Sequence, residues 1–157
     1  KSSKFEFYDK DKSSRYFEHR FTNHPFYDYF ILEIKNNSNN KKVKLIIREI
    51  KIFKEKIWRI VDISKSKFDN FHNPEFISKF LTKNEVSYID FLINDECKEI
   101  PIKLGFILRE KNVFLPHHFE PYENKIINTN FCYKIFDKRK TYSIFKSDGD
   151  FDRPSII

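Results

Sequence analysis

Apolar and polar positions along this chain fall mostly into short alternating runs, and the clearest pair frames the stretch from Phe26 to Phe53. Phe26-Tyr-Asp-Tyr-Phe-Ile-Leu-Glu-Ile-Lys35 precedes the polar cluster Asn36-Asn37-Ser38-Asn39-Asn40, and Lys41 to Phe53 follows it. Two runs rich in β-branched and aromatic residues around a turn-forming cluster predict a β-hairpin. In the first run Phe30, Leu32 and Ile34 share one face, with Tyr29, Ile31, Glu33 and Lys35 on the other. The return run starts in phase at Val43, Leu45 and Ile47 and then switches parity to Ile50 and Ile52. A β-bulge near Arg48-Glu49, or a strand crossing between sheets there, is the expected cause.

The same alternation predicts further strands. Phe5, Phe7 and Tyr8 form a short first strand, and Arg15 to Phe21 alternates with Phe17, His19 and Phe21 on one face. In Ile57 to Ile63, the run puts Ile57, Val61 and Ile63 opposite Trp58 and Ile60, with the single Trp assigned to the core. Asn73-Pro74-Glu75 starts a helix, with Asn as cap, Pro at the first position and apolar residues at helical spacing to Leu81. Val86 to Ile93 returns to strand. Ile100, Ile102, Leu104, Phe106 and Leu108 make one unbroken alternating face, and Pro101 assigns that strand to a sheet edge. Ile126 to Phe136 and Thr141 to Phe145 predict a last hairpin across Asp137-Lys138-Arg139-Lys140. About seven to nine short strands with one short helix predict an all-β domain, an antiparallel sandwich or barrel.

The strand ending in Ile34-Lys35-Asn36, its polar turn and Val43-Lys44-Leu45-Ile46-Ile47 resemble the paired strands of immunoglobulin-like accessory domains in microbial proteins. That resemblance implies an immunoglobulin-like antiparallel β-sandwich that serves recognition or assembly. The Cys-Trp-Cys order of true immunoglobulin domains is missing, because Trp58 precedes both cysteines.

Composition sharpens parts of this picture. The 157 residues fit a single domain, and 19 Phe with 8 Tyr supply buried area that a 39% hydrophobic share would otherwise leave short. With Gly105 and Gly149 as the only glycines, turns rely on Asn and Asp, and glycine-cradled phosphate loops are excluded. Cys97 and Cys132 are too few for a disulfide framework and predict reduced thiols in the cytoplasm, with one inter-strand disulfide as the alternative. No apolar run reaches the ~20 residues of a membrane helix. The chain lacks Met and begins at Lys1, which predicts a fragment of a longer protein whose remainder could carry a membrane anchor or a catalytic domain.

The net charge of +7 points first to lysine-rich composition and second to an anionic partner: nucleic acid, nucleotide or membrane surface. Candidate binding residues are Lys42, Lys44 and Arg48 on the central hairpin. A second set is the basic tip Lys138, Arg139 and Lys140, with Tyr133 and Tyr142 on the strands behind it. Such mixtures bind single-stranded nucleic acid through backbone charge and base stacking. His117 and His118 in the Pro-rich loop are a candidate loop site, yet on extended backbone adjacent side chains diverge. His19 and His24 lack metal-ligand spacing, and His19 falls on an apolar face as a core histidine would. Asp148-Gly149-Asp150-Phe151-Asp152 lacks the bidentate Glu of a calcium loop. No metal, cofactor or catalytic residue is assigned. The expectation is a non-catalytic recognition or assembly module that binds a protein partner, the rest of its parent chain or a small ligand. Self-association through an edge strand is a further route. The alternatives are a nucleic-acid or nucleotide-binding β-barrel and a hydrolase using a histidine of the loop.

Overall fold

A computed structural model describes residues 12–35, 42–52, 54–63, 74–94, 98–110 and 144–149. In these, the strands form one four-stranded mixed sheet in the order β1-β2-β3-β4, made of β1 (Tyr29–Lys35), β2 (Lys42–Ile52), β3 (Glu55–Ile63) and β4 (Tyr88–Phe91). The predicted hairpin is present. β1 pairs antiparallel with β2 from Tyr29 opposite Arg48 to Lys35 opposite Lys42.

β2 and β3 are also antiparallel, with a break in register between Ile46 and Ile47. Ile46 faces Asp62 and Ile47 faces Ile60, so Val61 is the extra residue and the irregularity lies on β3 rather than near Arg48-Glu49. That residue also corrects the expected faces of β3. Trp58, Ile60 and Ile63 pack together in one cluster, and Val61 joins the other.

The sheet is not purely antiparallel. β3 and β4 run parallel, with Ile57 opposite Tyr88 and Ile60 opposite Phe91. Parallel neighbours need a crossover, and α2 (Pro74–Lys83) lies in the sequence between them. This is the predicted helix, two residues longer than expected. It ends with Val86 N–H on the Leu81 carbonyl (3.1 Å) and Glu85 N–H on Thr82 (3.3 Å), with Glu85 left-handed at φ 54°.

Two predicted strands are helical. Ser14–Phe17 forms α1, continued by a π-helical turn over Glu18–Thr22. Ser13 caps it, its Oγ accepting the Tyr16 N–H at 3.2 Å. Phe17 and Phe21, four apart, lie on one helical side and are buried against Ile46 and Val61. His19 is exposed instead of sitting in the core. Likewise Glu99–Lys103 forms α3 where an edge strand was expected. Pro101 and Leu104, three apart, are buried, while Ile102 and Leu108 of the supposed apolar face are exposed. Gly105 stops α3 at φ 90°, with Phe106 N–H on the Pro101 carbonyl and Gly105 N–H on that of Ile102, both at 3.0 Å.

Both faces of the sheet are covered. On one, Ile34, Leu45, Ile47, Trp58, Ile60 and Ile63 meet Ile77 of α2, Leu104 and Phe145. Trp58 is core, as predicted, wedged between Phe30 and Phe80 at 5.0 and 5.3 Å between ring centres. On the other face lies the Phe17–Phe21 segment. The predicted first strand, Phe5 to Tyr8, and the last hairpin up to residue 143 lie outside the described residues. No helix among the described residues is long and apolar enough to cross a membrane.

Candidate functional site

Among the described residues, three places concentrate chemistry: a buried ionic cluster, an open basic cleft and an apolar groove. The cluster lies on the sheet face that also carries Ile46 and Val61. Arg48, Arg59 and Asp90 sit at matching positions on β2, β3 and β4. Like charges opposite each other on neighbouring strands repel, so both guanidiniums require neutralising contacts. Arg59 forks onto Asp90, with Nε 3.1 and 3.0 Å from Oδ1 and Oδ2 and Nη2 2.7 Å from Oδ2. Arg48 lies over the Tyr27 ring, its Cζ 4.0 Å from the centre. Lys146 adds a cation 3.8 Å from Asp90.

Beside this row, Asp62 is fully buried. Its carboxylate takes Lys12 Nζ at 2.9 Å, Ser147 Oγ at 2.6 Å and the Ile63 N–H at 2.8 Å. Burial pushes the Asp62 carboxyl up, and those donors hold the rise in check. Burial alone would lower the Lys12 ammonium. The carboxylates of Asp62 and Asp148, the latter 2.7 Å away, outweigh that and raise it. Arg20 donates to the Ser147 carbonyl. The cluster therefore ties the segment before β1 and the 3-10 turn Lys146–Gly149 to the middle of the sheet.

The cleft, about 620 Å³, is lined by Ser13, Arg15, Tyr16, His19, Arg20, His24, Pro25 and Phe26. Among the described residues no carboxylate lines it. His24 Nδ1 accepts the N–H groups of Phe26 (3.2 Å) and Tyr27 (3.1 Å), which turns the chain into β1 and leaves the imidazole proton to Nε2. The His24 ring stacks on Tyr27 at 5.0 Å. Phe26 is 68% exposed.

The groove, about 660 Å³, runs beside β4, which is an edge of the sheet among the described residues. α2, α3 and residues 105–110 form its other walls, with Ile107 92% exposed and Leu108 52% exposed. Burial raises the Tyr88 hydroxyl in this wall to about 12, helped by the Asp90 charge.

Of the residues assigned from sequence, Lys44 and Arg48 share one face of β2 by alternation, with Lys44 half-buried and facing Glu33 in register. Lys42 opens β2 opposite Lys35. Arg48 is buried, with its guanidinium over the Tyr27 ring. His117, His118, Tyr133, Lys138, Arg139, Lys140, Tyr142, Cys97 and Cys132 lie outside the described residues. Among the described residues no three His, Cys, Asp or Glu side chains gather as metal ligands. Sequence reading missed Arg59, Asp62 and Asp90. The signal was present: charges inside the apolar runs 57–63 and 88–91 demand buried partners.

In comparisons with known proteins, the chain matches no family model, no curated protein and no solved structure.

Proposed function

We propose that this protein is a non-catalytic recognition module that takes an extended, apolar segment of a partner protein along the β4 edge. The observation that supports the reading is the groove. A sheet edge offers backbone donors and acceptors to an added strand, and the apolar wall beside it offers pockets for alternate side chains. Ile102, Ile107 and Leu108 are large apolar side chains left in solvent at this place. Lys98 and Arg109 line it together with Glu110, a positive rim that favours acidic residues flanking the partner's apolar core. The acids and bases of the cluster support the same reading, because they are spent on holding chain segments together. A cytoplasmic setting rests on cysteine usage alone. The immunoglobulin-like sandwich rests on the β1–β2 hairpin, and the module reading does not depend on it.

The test is selection of binders from a displayed peptide library, followed by titration of chosen peptides. Apolar peptides with acidic flanks are expected, and Ile107→Asp should weaken them more than ten-fold, since one buried Ile side chain contributes about 1.5–3 kcal/mol. Peptide binding that ignores Ile107→Asp and Leu108→Asp overturns the groove as the site. Sedimentation showing a dimer that those substitutions dissociate would make a second copy of this chain the occupant.

A further inference from the structure

Lys12 lies two residues before α1, outside every helix and strand, yet its ammonium reaches the sheet at Asp62 of β3. Two carboxylates meet it there, Asp62 Oδ2 at 2.9 Å and Asp148 Oδ1 at 2.7 Å. Two aromatic rings complete the seat, with the centres of Tyr16 and Phe145 5.5 and 5.2 Å from Nζ. Both lie within the roughly 6 Å over which a ring face attracts a cation. Acids alone would hold any cation, sodium included. Ring faces beside them favour an organic ammonium, whose apolar stem packs where its charge is held.

Each wall of the seat is held without help from Lys12. Asp62 Oδ1 accepts the Ile63 N–H at 2.8 Å, and its Oδ2 accepts the Ser147 hydroxyl at 2.6 Å. Asp148 Oδ2 accepts the Phe145 N–H at 2.8 Å, which leaves Oδ1 to the ammonium. Phe145 is buried in the apolar core and bridges Ile93. Tyr16 packs edge-on against Phe17 and Phe21, at 5.2 and 6.2 Å between ring centres. A site whose groups are fixed by backbone and core keeps its shape when its occupant leaves, and little ordering opposes the next one. The same anchors set selectivity. A guanidinium forks onto both oxygens of one carboxylate, as Arg59 does on Asp90. At Asp62 and Asp148 one oxygen of each already holds a backbone N–H, so the seat offers a single oxygen from each of two residues. That geometry suits the compact charge of an ammonium.

We infer that Tyr16, Asp62, Phe145 and Asp148 form a receptor for a primary alkylammonium, filled here by Lys12 as a built-in ligand that an incoming amine displaces. The ligand class is an ammonium on an unbranched alkyl stem, supplied by a free amine or by a lysine side chain of another chain. An occupant tethered in the same chain acts at a high effective concentration, so Lys12 keeps the seat closed to weak ligands. The receptor is separate from the β4 groove, since its walls come from α1, β3 and the residues of the turn at 145–148.

Lys12→Ala empties the seat, and n-propylammonium replaces the atoms removed. Thermal unfolding of the full chain with this substitution is followed against n-propylammonium, tetramethylammonium, guanidinium and sodium at equal chloride concentration. Nα-acetyl-lysine methylamide represents the lysine side chain. n-Propylammonium is expected to raise the unfolding midpoint saturably, and the other three cations are not. Tighter binding of the lysine derivative than of n-propylammonium supports a side chain as the ligand, and equal or weaker binding supports a free amine. Adding Asp148→Asn should weaken n-propylammonium roughly ten-fold, the scale of one charge-assisted hydrogen bond. The wild-type chain should respond to neither amine at concentrations that saturate the variant, and an equal response there overturns Lys12 as the occupant. A response to sodium as large as that to n-propylammonium, or no response to either amine, overturns the receptor. An equal response to guanidinium overturns its selectivity. If Lys12→Ala does not fold alone, recovery of folded chain on refolding with each cation is the readout. In the wild-type chain the Lys12 ammonium should also give a slowly exchanging NMR signal shifted by the two rings, and rapid exchange with water would sink the closed seat.

Discussion

The two faces of the sheet are equally dry and are held together by opposite means. Along β3, Trp58 and Ile60 face an apolar layer built from α2, Leu104 and Phe145. Arg59, between them, faces Asp90, and Asp62 faces Lys12 and Ser147. The apolar side is stabilised by area removed from water, a term without direction that tolerates exchange among side chains of similar volume. The ionic side depends on each charge meeting its partner, since a buried charge left alone is heavily penalised. A sheet covered on one face by volume and on the other by pairing should respond to mutation in two different ways.

The largest expected effect is on the paired side. Arg59→Met removes the forked partner of buried Asp90, with Lys146 3.8 Å away, and should lower unfolding free energy by about 3–5 kcal/mol in chemical denaturation. Adding Asp90→Leu should restore much of the loss. If the two single losses simply add, the pair is not coupled and the contrast between the faces fails.

A smaller loss is expected across the strand. Ile60→Val removes one methylene from a fully buried site and should cost about 0.5–1.5 kcal/mol, with no second substitution needed to explain it. A loss as large as that of Arg59→Met would mean that the apolar side is as exacting as the ionic one.

The smallest effect is read at alkaline pH. The Tyr88 hydroxyl titrates near 12 in the folded chain, against 10.0 for an unperturbed tyrosine, because burial and Asp90 disfavour the phenolate. A folded-state value raised in this way contributes stability below pH 10 that is lost as pH climbs towards 12, where the unfolded chain has already released its proton. The Lys12 ammonium, raised by Asp62 and Asp148, adds to the same alkaline loss. Tyr88→Phe should flatten the slope of stability against pH in that window and reduce the late phase of phenolate absorbance, to which Tyr16, also raised by burial, contributes. An unchanged slope would place Tyr88 in contact with solvent.

The alternation on either side of the Asn-rich turn was read correctly. The Asn-rich cluster folds its flanking β-branched runs back on each other, and β1 and β2 pair over seven residue pairs. Pro74 with an acid after it marked α2. Ile100 to Leu108 and Arg15 to Phe21 were misread for one reason. A residue four positions on lies on the same side in a strand and in a helix, so Phe17 and Phe21, or Ile100 and Leu104, satisfy both periods. What separates them is packing against a neighbour: the exposed sides of Ile102 and His19 are visible only after α3 and the π-helical turn have found their places.

The candidate sites divide in the same way. That 57–63 and 88–91 are buried strands, and that charges within them require partners, follows from residue order alone, because apolar runs seek burial and charges resist it. Which charge meets which is a tertiary matter. Arg59 and Asp90 are 31 residues apart and become neighbours because β4 lies parallel to β3, and Asp62 meets Ser147 across 85 residues. Local sequence sets the period and the turns through backbone preference. The parallel register, the extra residue at Val61 and the convergence of Arg15, Arg20 and Phe26 on one cleft were decided by long-range packing, whose partners no short window of the chain contains.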